Sequence, residues 1–334
     1  MRLKNKIYVY LCTYIHKLNC TMRQTLTNIL SAVVGMLCVI SCGSGDDDRN
    51  SGIPAERNLN RNDATLEPAL QRLEFPRVKG GNSIVIIHTT NDRYGINYSV
   101  EWDCQKKAQR WSCYQMHAGN KGGSNSRVVN GYLFDEDMPN HNVNYVTSSS
   151  GENIDPFWSS GYDHGHICPN ADRKYSREAN RQTFFLTNMQ PQRNIFNAGL
   201  WLSMENKLTQ VWWPTTTGDT LYVVKGGTID AEADIIEYIC NSQRSATARE
   251  GFIPVPRYFF MALLRKSKTG YKALAFWAEH LNEDHSSDAL SNYVINIREL
   301  ERRTGIDFFC NLPDATEEEV ETMSVENVKW LWNL

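Results

Sequence analysis

Between residues 83 and 277 the chain alternates short apolar runs with polar breaks. Ser83–Thr89 (SIVIIHT), Tyr98–Asp103 and Arg110–Met116 are rich in β-branched and aromatic residues. The last two are joined by 104–109 and predict a hairpin. Thr183–Thr187 (TFFLT) predicts a buried strand, and Leu221–Val224, Arg257–Leu264 and Ala273–Trp277 predict three more. From Asn197 to Trp213 the period changes. Trp201, Met204, Leu208 and Val211 recur at three- and four-residue steps, the signature of a helix with one apolar face. Ile297–Arg303 followed by Gly305 predicts a second helix with a glycine stop. Gly119–Ser126, dense in Gly, Ser and Asn, predicts a loop. No stretch repeats, and no second region has a composition of its own. The elements add up to one α+β domain, a central antiparallel sheet with helices on its faces.

The first 80 residues break this pattern. Residues 24–41 (QTLTNILSAVVGMLCVIS) form an apolar run preceded by Arg23 and ending in a small residue before Cys42. A charged start, an apolar run and a small residue at the cut predict a signal peptide over residues 1–42. Cys42 at that place resembles the lipobox cysteine of bacterial lipoproteins, which carries the lipid. Met22 as the true start gives a compact signal, with the first 21 residues as an extension. A transmembrane anchor is the competing reading, but the run falls short of about 20 solidly apolar residues. The chain is thus expected to be exported and lipid-anchored to a bacterial membrane, at the outer membrane or cell surface, touching it through the N-terminal lipid only. The acidic run Asp46–Asp48 resembles a surface-export tag. Residues 43–80, rich in Asp, Asn, Arg, Gly and Pro and without periodicity, predict a flexible tether. The folded domain is expected over 81–334.

Charge sharpens the functional question. The chain carries a formal net charge of −3. All five charged residues of the first 42 are basic, which leaves 30 basic against 38 acidic residues beyond them, or −8. This balance argues against tight, processive nucleic-acid binding, which favours a positive surface. A divalent cation that supplies positive charge locally softens the conflict. Five cysteines follow Cys42 (Cys104, Cys113, Cys168, Cys240 and Cys310), so pairing in an oxidising compartment leaves at least one over. None sits in a C-x-x-C pair.

The densest cluster of reactive residue types is Tyr162-Asp163-His164-Gly165-His166-Ile167-Cys168-Pro169. Phe185-Leu186-Thr187-Asn188-Met189-Gln190-Pro191-Gln192 comes about twenty residues on, then Asn197-Ala198-Gly199-Leu200-Trp201, then Glu205. Hydrolysing a phosphodiester needs an activated water, neutralised phosphoryl oxygens and help for the leaving oxygen. Histidine is the side chain best poised to take a proton near neutral pH. A divalent metal can supply the rest, and magnesium is content with one amide oxygen, a nearby carboxylate and several waters. Asn197 and Glu205 offer that pair. Eight helical residues separate them by about 12 Å along the axis, so Glu205 suits metal-bound water better than direct ligation.

With these three segments in order, the chain resembles the DNA/RNA non-specific endonucleases of the ββα-metal (His-Me finger) superfamily. That group includes mitochondrial endonuclease G and secreted bacterial nucleases. The family pattern Asp-Arg-Gly-His, Ser/Thr-Asn-x-x-Pro-Gln and Asn-x-x-x-Trp with a downstream Glu appears here as Asp163 to His166, Thr187 to Gln192, Asn197 to Trp201, and Glu205. The likeness runs from about Asn97 to about Asp314. It implies a Mg2+-dependent endonuclease acting on DNA and RNA through backbone recognition, with Mn2+ as a substitute. In it His166 is the general base and Asn197 the direct metal ligand, and Glu205 organises the metal's waters. Asn188 positions the site and the phosphate, and Asp163 orients the histidine segment. Arg127, sixteen residues after Trp111, matches an arginine thought to bind phosphate, where a guanidinium makes charge-assisted contacts.

One position departs from the pattern. The usual arginine between Asp and Gly is His164. Histidine is only partly cationic at pH 7 and lacks the fork of arginine. The expectation is a weaker phosphate contact at His164 and activity favouring mildly acidic pH. Two alternatives stand beside the nuclease. One is a surface nucleic-acid-binding lipoprotein that kept the fold with impaired catalysis. The other is a zinc hydrolase using His164, His166 and Cys168, since alternate strand residues share a face.

Overall fold

The protein is described from a computed structural model that covers residues 57–139, 152–240 and 253–334. The expected signal segment, Cys42 and Asp46–Asp48 lie outside the described residues.

Seven strands form the central sheet. They are β1 (Ser83–Thr89), β2 (Ile96–Asp103), β3 (Ala108–His117), β6 (Thr220–Gly227), β9 (Tyr258–Ser267), β10 (Gly270–Glu279) and β11 (Val294–Ile295), in spatial order β1-β2-β3-β6-β9-β10-β11. Every pairing in it is antiparallel, and β7 (Ile235–Ile239) and β8 (Ile253–Pro256) form a separate antiparallel ribbon. The predicted β2–β3 hairpin is present, its turn held by Asp103, whose side chain accepts the backbone N–H groups of Gln105 and Lys106. Side chains alternate across a strand, and here both faces are apolar. On β9, Phe259, Met261 and Leu263 enter one core, while Phe260, Ala262 and Leu264 enter the other. β6 divides in the same way, with Leu221 and Val223 against Tyr222 and Val224. Each face therefore has to be covered by another layer.

One face is covered by helices α3 (Ile297–Thr304) and α4 (Asp314–Glu321) and by residues 57–78. The tether expected over 43–80 therefore does not extend over 57–80. Leu70 and Phe75 are buried in this core, and the Asn62 amide donates to the carbonyls of Leu70 and Pro76. A few well-placed apolar residues anchor a stretch whose composition alone reads as loop. α3 ends as predicted, with Gly305 in the left-handed conformation (φ 66°). Helix α5 (Val325–Trp332) covers part of the opposite face with Val328 and Trp332.

The remainder of that face carries the unit that matters for chemistry. Strand β4 (Asp163–His166) pairs antiparallel with β5 (Met189–Gln192), and residues 194–212 follow as a helical stretch, α2. This is a ββα unit, as the resemblance implies. Between its strands lie α1 (Arg177–Gln182) and residues 183–188, which are buried but form turns instead of the expected strand. A 3₁₀ turn at Leu186–Asn188 takes the place of a ladder. α2 buries Trp201, Met204 and Leu208 as its periodicity predicts, but Val211 is exposed and Trp212 buried in its place. The cause is two wider π-type segments, at Asn197–Trp201 and Lys207–Trp212, which shift the phase of the apolar stripe.

Cys104, Cys113, Cys168 and Cys310 are free thiols, the last three fully buried, so the disulfides considered from the cysteine count do not form among these four.

Candidate active site

Two glutamines fix the ββα unit to the sheet and to itself. The Gln190 amide donates to the carbonyls of Gln109 and Gly227 and accepts the Gly227 N–H at 2.6 Å, so β5 is stapled to β3 and β6. Gln192 packs over Gly165, where a Cβ would fall 2.4 Å from its side chain. The glycine between the two histidines is therefore a spatial requirement.

Asn188 is completely buried. Its Oδ1 accepts the N–H of Cys168, and its Nδ2 donates to the carbonyls of Cys168 and Thr183. With these bonds filled and no exposure it cannot touch phosphate, which corrects that part of its expected role. It is a positioning residue that clamps the chain leaving His166.

His166, His164, Asp163, Asn197 and Arg127 line one polar cleft of about 430 Å³. Two of the three motifs, 163–166 and 197–201, thus meet at one cleft together with Arg127, while the 187–192 segment braces them from behind. Burial, followed by the positive charges of Arg127 and His164, pushes the imidazole of His166 down to about 3, opposed by its hydrogen bond to the His164 backbone. The ring is neutral at physiological pH. Its Nε2 is covered and has no hydrogen-bond partner, so the bond to the backbone uses Nδ1 and leaves the Nε2 lone pair available. Ring edges close around it, Phe184 at 5.2 Å and Tyr132 at 6.1 Å between centroids. A purely structural buried histidine satisfies both nitrogens. His280 does so, with Nδ1 on the Pro256 carbonyl and Nε2 accepting the Arg193 N–H. His166 does not.

Asn197 begins the π-type segment of α2, a distortion that recurs at functional sites. Its Nδ2 donates to Asp163 Oδ2 at 3.0 Å, and Asn194 Nδ2 donates to the same oxygen at 2.9 Å. Asp163 thus accepts hydrogen bonds as expected, but from these asparagines, and it orients Asn197, not the histidine segment. With Nδ2 consumed, the hard oxygen of the amide is the group left to serve a ligand. An oxygen donor oriented by a carboxylate behind it suits Mg2+.

Glu205 behaves differently from its expected role. Its Oε1 pairs with Lys225 Nζ at 2.7 Å, and Lys225 is fully buried on β6. Burial raises the Glu205 carboxyl while Lys225 opposes the rise. Glu205 is not part of the cleft wall that holds Asn197.

His164 also departs from expectation. Its ring stacks flat on Tyr132 (3.6 Å, 5°), packs beside Phe157, and places Nε2 2.8 Å from Asp155 Oδ2. Nε2 is thereby engaged, which leaves only Nδ1 for the phosphate contact expected at His164. The zinc reading fails on the same geometry, because His164 faces Asp155 and the Cys168 thiol is buried; the one convergent His/Asp group among the described residues is His88, Asp135 and Asp137. That group does not line the cleft. His88 bridges the two carboxylates, and Asp135 accepts the Thr187 hydroxyl, so the cluster ties β1 to the segment next to Asn188. Arg127 lines the cleft, exposed, with φ 46° and its guanidinium 5.7 Å from the Phe184 ring.

Sequence reasoning missed Tyr132, Asp155, Trp158 and Lys225. The first three lie in irregular segments with no periodic signal. Lys225 did leave a trace, a lone cation inside the apolar run LYVVKGG.

The model of the DNA/RNA non-specific endonuclease family matches residues 82–315. Among curated proteins the chain is similar to mitochondrial nuclease EXOG of Xenopus laevis, at 25% identity over 234 residues, covering 67% of this chain and 59% of that one. A nuclease of Nostoc sp. is 24% identical over 67% of this chain and 75% of its own length. Mitochondrial endonuclease G of Bos taurus is 24% identical over 65% of this chain and 68% of its own.

Proposed function

Since the chain belongs to the DNA/RNA non-specific endonuclease family, we propose that it hydrolyses phosphodiester bonds of DNA and RNA without sequence preference, with His166 as general base and one Mg2+ ion held at Asn197. The carrying observation is that two groups share one cleft: a neutral imidazole with an orphaned Nε2, and an amide whose nitrogen is turned to Asp163 so that its oxygen can serve a metal. Nε2 of His166 takes the proton of a water, whose oxygen bonds to phosphorus as the bond to the 3′-oxygen breaks, leaving a 5′-phosphate. Arg127 meets the phosphoryl oxygens where negative charge grows. Asp163 holds Asn197, and Asn188 and Gln192 hold the strand that carries His166. When bound, the metal neutralises phosphate charge and stabilises the leaving oxygen. Contacts of this kind address the backbone, which carries no sequence information.

Chelation tests the reading. Plasmid nicking by the wild type should stop in EDTA and return with Mg2+, and Asn197→Ala should need at least about tenfold more Mg2+ for half-maximal rate. Nicking that continues in EDTA sinks the metal mechanism.

The export signal and lipid anchor belong to the same proposal, resting on residues 23–42. Labelled palmitate should enter the wild-type chain in a bacterial host and not the Cys42→Ser variant; equal labelling removes Cys42 as the anchor.

A further inference from the structure

We propose that Trp158 and the turn that carries it form a nucleobase-stacking subsite at the wall of the cleavage cleft, an inference that rests on the nuclease reading above. Trp158 is 59% exposed, a large apolar side chain left in water. It lines the same cleft as His166, Asn197 and Arg127. Its chain neighbour Phe157 is buried in the main core and packs beside His164, so the turn is anchored next to the cleft while Trp158 stays in water.

That turn is built. Asp155 Oδ1 accepts the Phe157 N–H at 2.9 Å, the Phe157 carbonyl accepts the Ser160 N–H, and Ser160 Oγ accepts the Tyr162 N–H. Ser159 takes the left-handed conformation (φ 56°), which a serine adopts only where its surroundings require it. The other Asp155 oxygen pairs with His164, so the turn is fixed to the strand that carries His166. The indole is therefore held out beside the reacting centre by a braced segment.

The occupant follows from where the ring stands and from charge. A strand whose phosphate lies between His166 and Asn197 has its bases beside that phosphate. The chain is net negative, so ionic attraction alone is a poor source of affinity. Every base has a π-face, and stacking on an aromatic ring gives affinity without reading sequence. A ring at this place suits a single strand or an unstacked base better than a closed duplex, whose bases are already stacked.

The test measures binding in EDTA, without cutting. Fluorescein-labelled oligo(dT) 12-mer is compared by anisotropy with a 12-mer of abasic tetrahydrofuran residues, equal in charge and lacking bases. Wild type should bind the base-bearing strand about tenfold tighter or more. Trp158→Ala should bind the two strands alike to within about twofold, and Trp158→Tyr should keep most of the preference. The proposal is overturned if Trp158→Ala keeps the preference, if Trp158→Tyr loses it as completely as alanine does, or if wild type shows none. Failure of the hydrolytic reading appears elsewhere, as nicking that survives His166→Ala, and does not enter this measurement.

Discussion

Replacing His166 with alanine is expected to slow phosphodiester cleavage by about 10²–10⁴-fold, the usual contribution of a positioned general base, in a domain that stays folded. The removed ring strands nothing at Nε2, which has no partner, so the loss of stability is confined to its bond to the His164 backbone and its edge contact with Phe184. The pH dependence tests the same residue from another side. The imidazole is pushed down to about 3 by burial and by the charges of Arg127 and His164. The active form is the deprotonated one, so it stays populated as pH falls through 6.5. Wild-type kcat/KM should therefore show no acid limb near pH 6.5 and stay level from pH 8 to about 5 as far as this group is concerned. The preference for mildly acidic pH expected from His164 would instead appear in the same profile as a rate that rises as pH falls. The depressed ring acts on folding in the opposite sense. The unfolded chain takes up its proton first, so stability declines as pH drops from about 6.5 toward 3, and rates should be read well below the melting temperature. An acid limb centred near 6.5 would show a solvated, freely titrating ring and would falsify the burial argument.

Lys225→Met is expected to destabilise the fold by about 3–5 kcal/mol, because it strands the Glu205 carboxylate against the sheet. Lys225 is fully buried and Glu205 nearly so. For a domain of this size the loss corresponds to a melting temperature lower by roughly 6–20 °C. Removing both charges in Lys225→Met/Glu205→Gln should recover most of it, since a buried pair replaced as a pair is often neutral. A single variant within about 1 kcal/mol of wild type would mean that the pair does not hold in solution. The same variants settle the task of Glu205. If it serves Lys225, Glu205→Gln lowers stability and leaves the Mg2+ concentration for half-maximal nicking unchanged. A rise in that concentration restores the role of ordering the metal's waters.

Much of the fold was legible because its signals are local. The strands at 83–89, 221–224, 257–264 and 273–277 and the helix stop at Gly305 depend on short-range patterns of apolar residues and on one glycine in the left-handed region. The pattern failed where a local rule met a tertiary one. Val211 was displaced from the buried stripe by π-type turns, and 183–187 is buried without being a strand. Leu70 and Phe75 draw a loop-like segment into the core.

For the site, the order of three motifs determined which residues belong together, because chemical type and spacing are written in the chain itself. What those residues do to one another was decided only in three dimensions. The partner of Asp163 is Asn197, that of Glu205 is Lys225, and that of His164 is Asp155. Hydrogen bonds and ion pairs act over about 3–4 Å in space, and no spacing along the chain encodes which side chain will come within that reach once the sheet has closed.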